Sequence, residues 1–295
     1  MSGSEDPEGR DGAPAGATAL LKQYGLRPKK TLGQNFLTDA GLCAKIARSA
    51  CPDGPRSVLE IGAGTGALTR PLLELGCRVV AIETDTDLSR VLRETFSREI
   101  ERGQLTLLEA DVREVDLDAV LSGLTPPRTL AGNLPYNLSG LLLRRAVEVT
   151  VPLDRSVFLL QLEVVDRLCA APGSEAYGAL SVFVQAVTRP ERALIVKRGA
   201  FYPQPNVDSA VAVLTPLAAP SALDPEFVAL VRGAFEKRRK TLRNAWRGVL
   251  SLTPAELDAA AAVAAVDLGC RGEVLAVADF ERMAAAVRAA RAGAA

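Results

Sequence analysis

Ser57-Val58-Leu59-Glu60-Ile61-Gly62-Ala63-Gly64-Thr65-Gly66 is the segment on which the reading of the fold turns. A short, mostly apolar run ends on three glycines, and a helical pattern follows over residues 67–75. A strand that stops on glycines and passes into a helix turns backbone N–H groups toward a ligand, so the segment predicts strand, glycine loop and helix. The alternation continues outward. Residues 78–83 read as a second strand, 87–98 as a helix, 105–110 as a third strand and 128–132 as a fourth. Further strands are expected at 156–160, 193–196 and 210–215. Strands alternating with helices predict a mostly parallel, doubly wound α/β sheet whose ligands gather at the carboxyl ends of its strands. Glu83, Asp111 and Asn133 all fall at such ends.

The length of 295 residues, with 48% hydrophobic and 24% charged positions, suits two domains of an ordinary globular protein. Residues 1–20 are acidic and rich in Gly, Ala and Pro, and read as a disordered tail. Residues 21–217 carry the sheet. Past Pro216, prolines at 220 and 225 precede alanine-rich helical sequence, so 218–295 is expected to be a small all-helical domain. Within it Phe227, Leu230, Val231, Ala234 and Phe235 follow the spacing of a buried helix face. If 240–250 is also helical, Arg239, Arg243 and Arg247 share one face. The five cysteines form no Cys-x-x-Cys pair and are expected to be reduced, as in a cytoplasmic protein. There is no histidine, which excludes a Ser-His-Asp triad, a His-Glu-x-x-His zinc site and any imidazole base. No metal site and no membrane span are expected, and the longest apolar stretch, 259–266, is far too short to cross a bilayer.

Lys+Arg and Asp+Glu balance at 35 each, so any polyanion must be met locally. Residues 20–70 hold 8 basic and 3 acidic residues, and 237–243 hold five cations in seven positions, Arg238, Arg239, Lys240 and Arg243 among them. Such crowding is relieved by a phosphate backbone, and RNA is the expected partner.

The glycine loop alone does not choose its ligand. Gly62, Gly64 and Ala67 satisfy the dinucleotide form G-x-G-x-x-G/A, with Glu83 placed for ribose hydroxyls, so NAD and S-adenosylmethionine both fit at this point. The company it keeps decides. Asp111 is placed to hydrogen-bond an adenine amine, and Asn133-Leu134-Pro135-Tyr136 has no task in hydride transfer. An exocyclic adenine amine is a poor nucleophile because its lone pair is delocalised into the ring. The Asn133 side-chain oxygen and the Leu134 carbonyl would accept its two protons and localise that pair, Pro135 would stiffen the turn, and Tyr136 would stack on the base. Residues 29–37 read either as a solvated entry loop or as a functional segment in which Lys29 and Lys30 touch phosphates and Asn35 with Leu37 forms part of the cofactor wall. Phe201, in a proline-stiffened loop over 199–209, would either cover the other face of a flipped base or serve as a core anchor.

These motifs together resemble the small-subunit ribosomal RNA adenine dimethyltransferase family over residues 26–280. The likeness rests on Lys-Lys-x-Leu-Gly-Gln-Asn-Phe-Leu (29–37), Val-Leu-Glu-Ile-Gly-x-Gly-x-Gly (58–66), Glu83, Asp111, Asn-Leu-Pro-Tyr-Asn (133–137), the Phe201–Ser209 loop and the basic segment 238–244. The resemblance implies a Rossmann-like fold that uses S-adenosyl-L-methionine, releases S-adenosyl-L-homocysteine, and dimethylates N6 of two adjacent adenines near the 3′ end of 16S rRNA in a 30S precursor. It also implies cofactor contacts from Asn35, Leu37, Gly62, Glu83, Asp111 and Asn133, with Gly64 in the same loop, and a cytoplasmic monomer. Three positions depart from the family pattern: Ala63 and Leu141 stand where proline is common, and Leu162 where a lysine usually precedes Glu163.

Overall fold

The computed structural model describes residues 16–237 and 239–292. Residues 1–15, most of the expected tail, and Arg238 lie outside the described residues. Among the described residues nine strands are present: β1 (Phe36–Leu37), β2 (Ser57–Ile61), β3 (Arg78–Glu83), β4 (Leu105–Glu109), β5 (Arg128–Asn133), β6 (Arg155–Gln161), β7 (Thr188–Val196), β8 (Phe201–Tyr202) and β9 (Ser209–Pro216). The helices that matter for the site are α1 (Ala17–Gln23), α2 (Ala40–Ala50), α3 (Thr69–Glu74), α4 (Thr86–Thr95), α5 (Ser97–Glu101), α6 (Leu117–Ser122), α7 (Ser139–Glu148), α8 (Leu162–Leu168) and α9 (Ala179–Val187). Four more, α10 (Pro225–Glu236), α11 (Leu242–Ala245), α12 (Pro254–Ala264) and α13 (Val277–Ala292), make up the carboxyl-terminal part.

Seven strands form one sheet in the order β4-β3-β2-β5-β6-β9-β7, with β2 to β6 parallel and β9 antiparallel to both neighbours. The antiparallel edge was not expected from the sequence. Its cause is the connection: β7 and β9 are joined without a helical crossover, and parallel neighbours need one. β7 also runs longer than the expected 193–196. Its first half, Thr188-Arg189-Pro190-Glu191-Arg192, is an edge that exposes its charges and tolerates a proline with no N–H to donate.

Alternate residues of each strand feed two cores. Val58, Val79, Ala131 and Val157 enter the layer under α2 and α3, while Leu59, Val80, Leu130 and Phe158 enter the opposite layer with α6 to α9. A third cluster joins α10 to α13 around Trp246 and Phe280. It is not self-contained, because Tyr177, Val182 and Ala186 belong to it, and the Tyr177 hydroxyl donates to the Leu275 carbonyl at 2.9 Å. A small fourth cluster, Ala17, Leu21, Phe36 and Leu88, explains why α1 begins inside the expected tail: its apolar side docks on the sheet domain.

Two helical expectations need correction. The 87–98 helix breaks at Phe96, whose ring is buried against Gly66, and continues as the separate α5. The expected 240–250 helix is a single turn, α11, because Gly248 adopts φ 78° and the chain leaves helical geometry. Arg239, Arg243 and Arg247 therefore do not share the face of one continuous helix.

In the parallel register of β2 and β5, Ile61 lies opposite Gly132. A Cβ at Gly132 would sit 2.4 Å from the Ile61 carbonyl oxygen, a backbone atom with no freedom to yield. Gly132→Ala is accordingly expected to lower unfolding free energy in urea by about 2–3 kcal/mol, with the loss appearing in the midpoint at an unchanged denaturant slope.

Glu60, one residue before Ile61, is buried and accepts the Thr69 hydroxyl at 2.7 Å. Burial pushes its carboxyl up from 4.5 to about 7; the Thr69 hydrogen bond opposes the rise and Glu83 adds to it. A value raised in the folded state means that this group's stabilisation is full below the unfolded value and is lost as pH rises to about 7. Glu60→Gln, which keeps an acceptor for Thr69, is expected to gain about 3 kcal/mol over the wild type between acidic and slightly alkaline pH in urea unfolding.

Candidate active site

The sheet changes winding direction between β2 and β5, which opens a crevice at their carboxyl ends. A cleft of about 190 Å³ lies there. Its walls include Asn35, Leu37, Gly62, Gly64, Glu83, Asp111, Asn133, Leu134, Pro135 and Tyr136. The fold thus brings together the sequence-expected cofactor residues and the Asn-Leu-Pro-Tyr turn, although they come from five separate stretches of chain.

The glycine loop owes its shape to left-handed backbone. Gly62 and Gly64 take φ 72° and 59°, which costs an L side chain but not glycine. The Gly62 and Ala63 N–H groups donate to the Ile82 carbonyl, at 2.9 and 3.2 Å, so the loop is held against the end of β3. Glu83 closes β3 and is buried. It accepts the Gly64 N–H at 2.7 Å and the Asp85 N–H at 2.9 Å. Burial raises its pKa, with both N–H donors opposing.

Asp111 lies just past β4, its carboxylate gripped by Arg113 through Nε at 3.0 Å and a terminal nitrogen at 2.6 Å. The Arg113 hydrogen bonds hold its pKa below the usual carboxylate range. It faces the cleft as an anionic acceptor already paired with a cation.

Asn133 ends β5 rather than following it. Its Nδ2 donates to the Asn35 carbonyl at 2.8 Å, which fixes the amide orientation and leaves Oδ1 as the free acceptor. The next N–H, of Leu134, donates to the Leu159 carbonyl at 3.2 Å. Among the described residues nothing donates to Asn133 Oδ1 or to the Leu134 carbonyl. The turn is stiffened by Ser139, whose hydroxyl lies 3.1 and 3.2 Å from the Pro135 and Tyr136 carbonyls. Tyr136 is half-buried, and its hydroxyl meets Ser209 at 2.6 Å, so the ring plane is held from below. Burial raises the phenol pKa and the Ser209 contact opposes it.

Phe201 does not join the cleft. It pairs with Leu37 across the β1–β8 ladder and packs in the core at 4% exposure, while Tyr202 beside it is 43% exposed. In this conformation Phe201 anchors the wall that carries Leu37. Lys29, expected at a phosphate, forms ion pairs with Asp85 and Asp87. Lys30 is exposed. In the carboxyl-terminal part Arg239 and Lys240 are exposed, Arg243 pairs with Asp258 at 2.7 Å, and Arg238 is outside the described residues. Sequence reasoning missed Asp85 and Gln34. Their signal was present as the third residue of Glu-x-Asp and the glutamine before Asn35, but nothing in the spacing says that the two meet.

The residues fit an S-adenosyl ligand. A glycine cradle in left-handed backbone stands beside an acidic strand end suited to ribose hydroxyls, and a second carboxylate follows just past the next strand. Among the described residues no cluster suits a metal ion, and no helix is long and apolar enough to cross a membrane.

Comparison with known proteins agrees. A family described as ribosomal RNA adenine dimethylase matches residues 25–282. A ribosomal RNA small subunit methyltransferase A from Anaeromyxobacter sp. (strain K) is 44% identical, covering 89% of this chain and 94% of the relative. The protein of that name from Geobacter metallireducens is 40% identical, covering 91% and 98%. Among solved structures, a dimethyladenosine transferase from Plasmodium falciparum aligns with TM-score 0.68 at 25% identity, covering 84% of this chain and 95% of that one. The 23S rRNA methyltransferase ErmE aligns at 0.62 and 25%, covering 86% and 99%. With a cleft built as a methyltransferase requires and a match across nearly its whole length, the chain belongs to the ribosomal RNA adenine dimethylase family.

Proposed function

We propose that this enzyme transfers methyl groups from S-adenosyl-L-methionine to N6 of two adjacent adenines in the 3′-terminal hairpin loop of 16S rRNA, acting on a 30S precursor. What carries this reading is the pair of free acceptors, Asn133 Oδ1 and the Leu134 carbonyl, on a turn braced by Ser139 and Asn35. The family and the curated relatives, named for the small subunit, support the choice of rRNA.

Bound in the cleft, the cofactor supplies an electrophilic methyl on a sulfonium. The protein's part is to prepare the amine. In the first transfer two acceptors draw the two N6 protons out of the ring plane, and in the second one acceptor holds the remaining proton, so the nitrogen lone pair leaves conjugation and points into the cleft. Tyr136 stacks on the unpaired base, its hydroxyl tied to Ser209 so that the ring does not swing away. The surplus N6 proton passes to water once the new N–C bond has formed, so no protein base is needed. Glu83 holds ribose hydroxyls, Asp111 the cofactor's adenine amine, and Asn35 and Leu37 the wall between the two ligands.

RNA is held by Lys30, Arg239 and Lys240, whose charges are exposed, more than by Arg243, which is paired. Loop adenines are easier targets than duplex ones because they are already unstacked.

Asn133→Ala is expected to reduce methyl transfer to under-methylated 30S particles about 10²- to 10³-fold, with S-adenosylhomocysteine affinity changed far less. Mass spectrometry of both rRNAs after incubation with labelled donor reports position and methyl count. Dimethyladenine in 23S rather than 16S rRNA would reject the proposed substrate. Arg239→Gln with Lys240→Gln is expected to flatten the log–log salt dependence of 30S binding by about 1–2, and an unchanged slope would leave these cations merely solvated.

A further inference from the structure

Lys29 lies outside the cleft, yet it is tied to the residues that shape it. Its ammonium reaches Asp85 Oδ1 at 2.6 Å and Asp87 Oδ2 at 2.8 Å. Its backbone N–H donates to Gln34 Oε1 at 2.7 Å, and Gln34 Nε2 donates to Asp85 Oδ2 at 2.8 Å. Both oxygens of Asp85 are thus held by the 29–34 segment, which leads directly into Asn35 and Leu37. The Asp85 side chain is 2% exposed, so without these partners its charge would be buried with no cation to face. Burial alone would raise its carboxyl, but the Lys29 ammonium and the Gln34 amide hold it below its usual value. On the other side Asp85 caps α4 through the Asp87 N–H at 3.1 Å and gives its own N–H to Glu83. A continuous path of contacts therefore runs from Lys29 through Asp85 to Glu83.

The charge count argues against a phosphate contact. One cation against two carboxylates leaves the cluster net negative, which repels a polyanion. The apolar contacts point the same way as the ionic ones. Phe36, next to Asn35, clusters with Leu21 and Leu88, and its ring lies 3.3 Å from where a Cβ of Gly64 would stand. The segment is thus pressed onto the glycine loop at one end and latched to the β3–α4 corner at the other.

We propose that Lys29 is a positioning residue: it latches the 29–37 segment onto Asp85 and so sets the affinity of the cleft for an S-adenosyl ligand. The inference deepens the cofactor reading above and rests on it, while the latch itself is a property of the ligand-free protein.

Two measurements on Lys29→Met separate the cases. Amide hydrogen exchange over residues 30–37 of the ligand-free protein is expected to quicken about tenfold, and S-adenosylhomocysteine binding by calorimetry to weaken about tenfold, with 30S affinity within about twofold of wild type. Lys29→Arg, which keeps a cation against both carboxylates, is expected to restore most of both. Asp87 is half exposed, so Asp87→Asn spares the fold and is expected to give a smaller change in the same direction. Unchanged exchange and ligand affinity with weakened 30S binding would overturn the proposal and return Lys29 to the RNA. If the wild type itself failed to bind S-adenosylhomocysteine, the donor reading would fall, and the exchange rates would still decide the latch.

Discussion

Everything at this site depends on one close approach. β2 and β5 run side by side because Gly132 presents no side chain to the Ile61 carbonyl, and the next residues on each strand, Gly62 and Asn133, emerge as neighbours at the lip of the sheet. From there the chain parts in two directions, into the glycine loop and into the Asn-Leu-Pro-Tyr turn. On the proposed mechanism, a donor held by the first and an acceptor held by the second would be brought together by sheet geometry, with no side chain having to reach across. Orienting two reactants in this way supplies a large share of a barrier reduction before any proton moves.

The electrostatics are consistent with that division of labour. The carboxylates of the cleft already have partners: Glu83 takes two backbone N–H groups, Glu60 takes the Thr69 hydroxyl and Asp111 takes Arg113. None is left as an unengaged base, and the chain has no histidine. What would face the amine on the proposed mechanism is neutral: an amide oxygen, a peptide oxygen and an aromatic ring. Neutral acceptors suit an amine that must be reshaped without first losing a proton.

Much of this was legible in the sequence, for physical reasons. The apolar runs of β2, β3 and β5 are buried on both faces, and their glycine and acidic endings fall where a parallel sheet needs them. The cleft residues followed, because strand ends converge in such a fold. The elements that escaped are those whose fate is set by tertiary partners. Arg189-Pro190-Glu191-Arg192 falls outside the strand expected at 193–196, and joins it because an edge gives the charges water and the proline a side that needs no donor. Phe201 reads as a base stacker until its ladder with Leu37 turns it inward. Lys29 reads as one cation in a basic stretch, because no local pattern says that Asp85, 56 residues later, will claim it. Gly248, in left-handed backbone, keeps the chain after α11 from resuming a helix that the sequence pattern would have allowed.

The helical carboxyl-terminal cluster borrows Tyr177, Val182 and Ala186 from the sheet domain, with Trp246 and Phe280 at its centre. Severing the chain after Pro216 would therefore strip the covering from one side of α9 and leave a raw greasy flank on an otherwise finished catalytic half. The two parts share one packed interior, so the carboxyl-terminal helices rest on α9 as an extension of the core beneath the sheet.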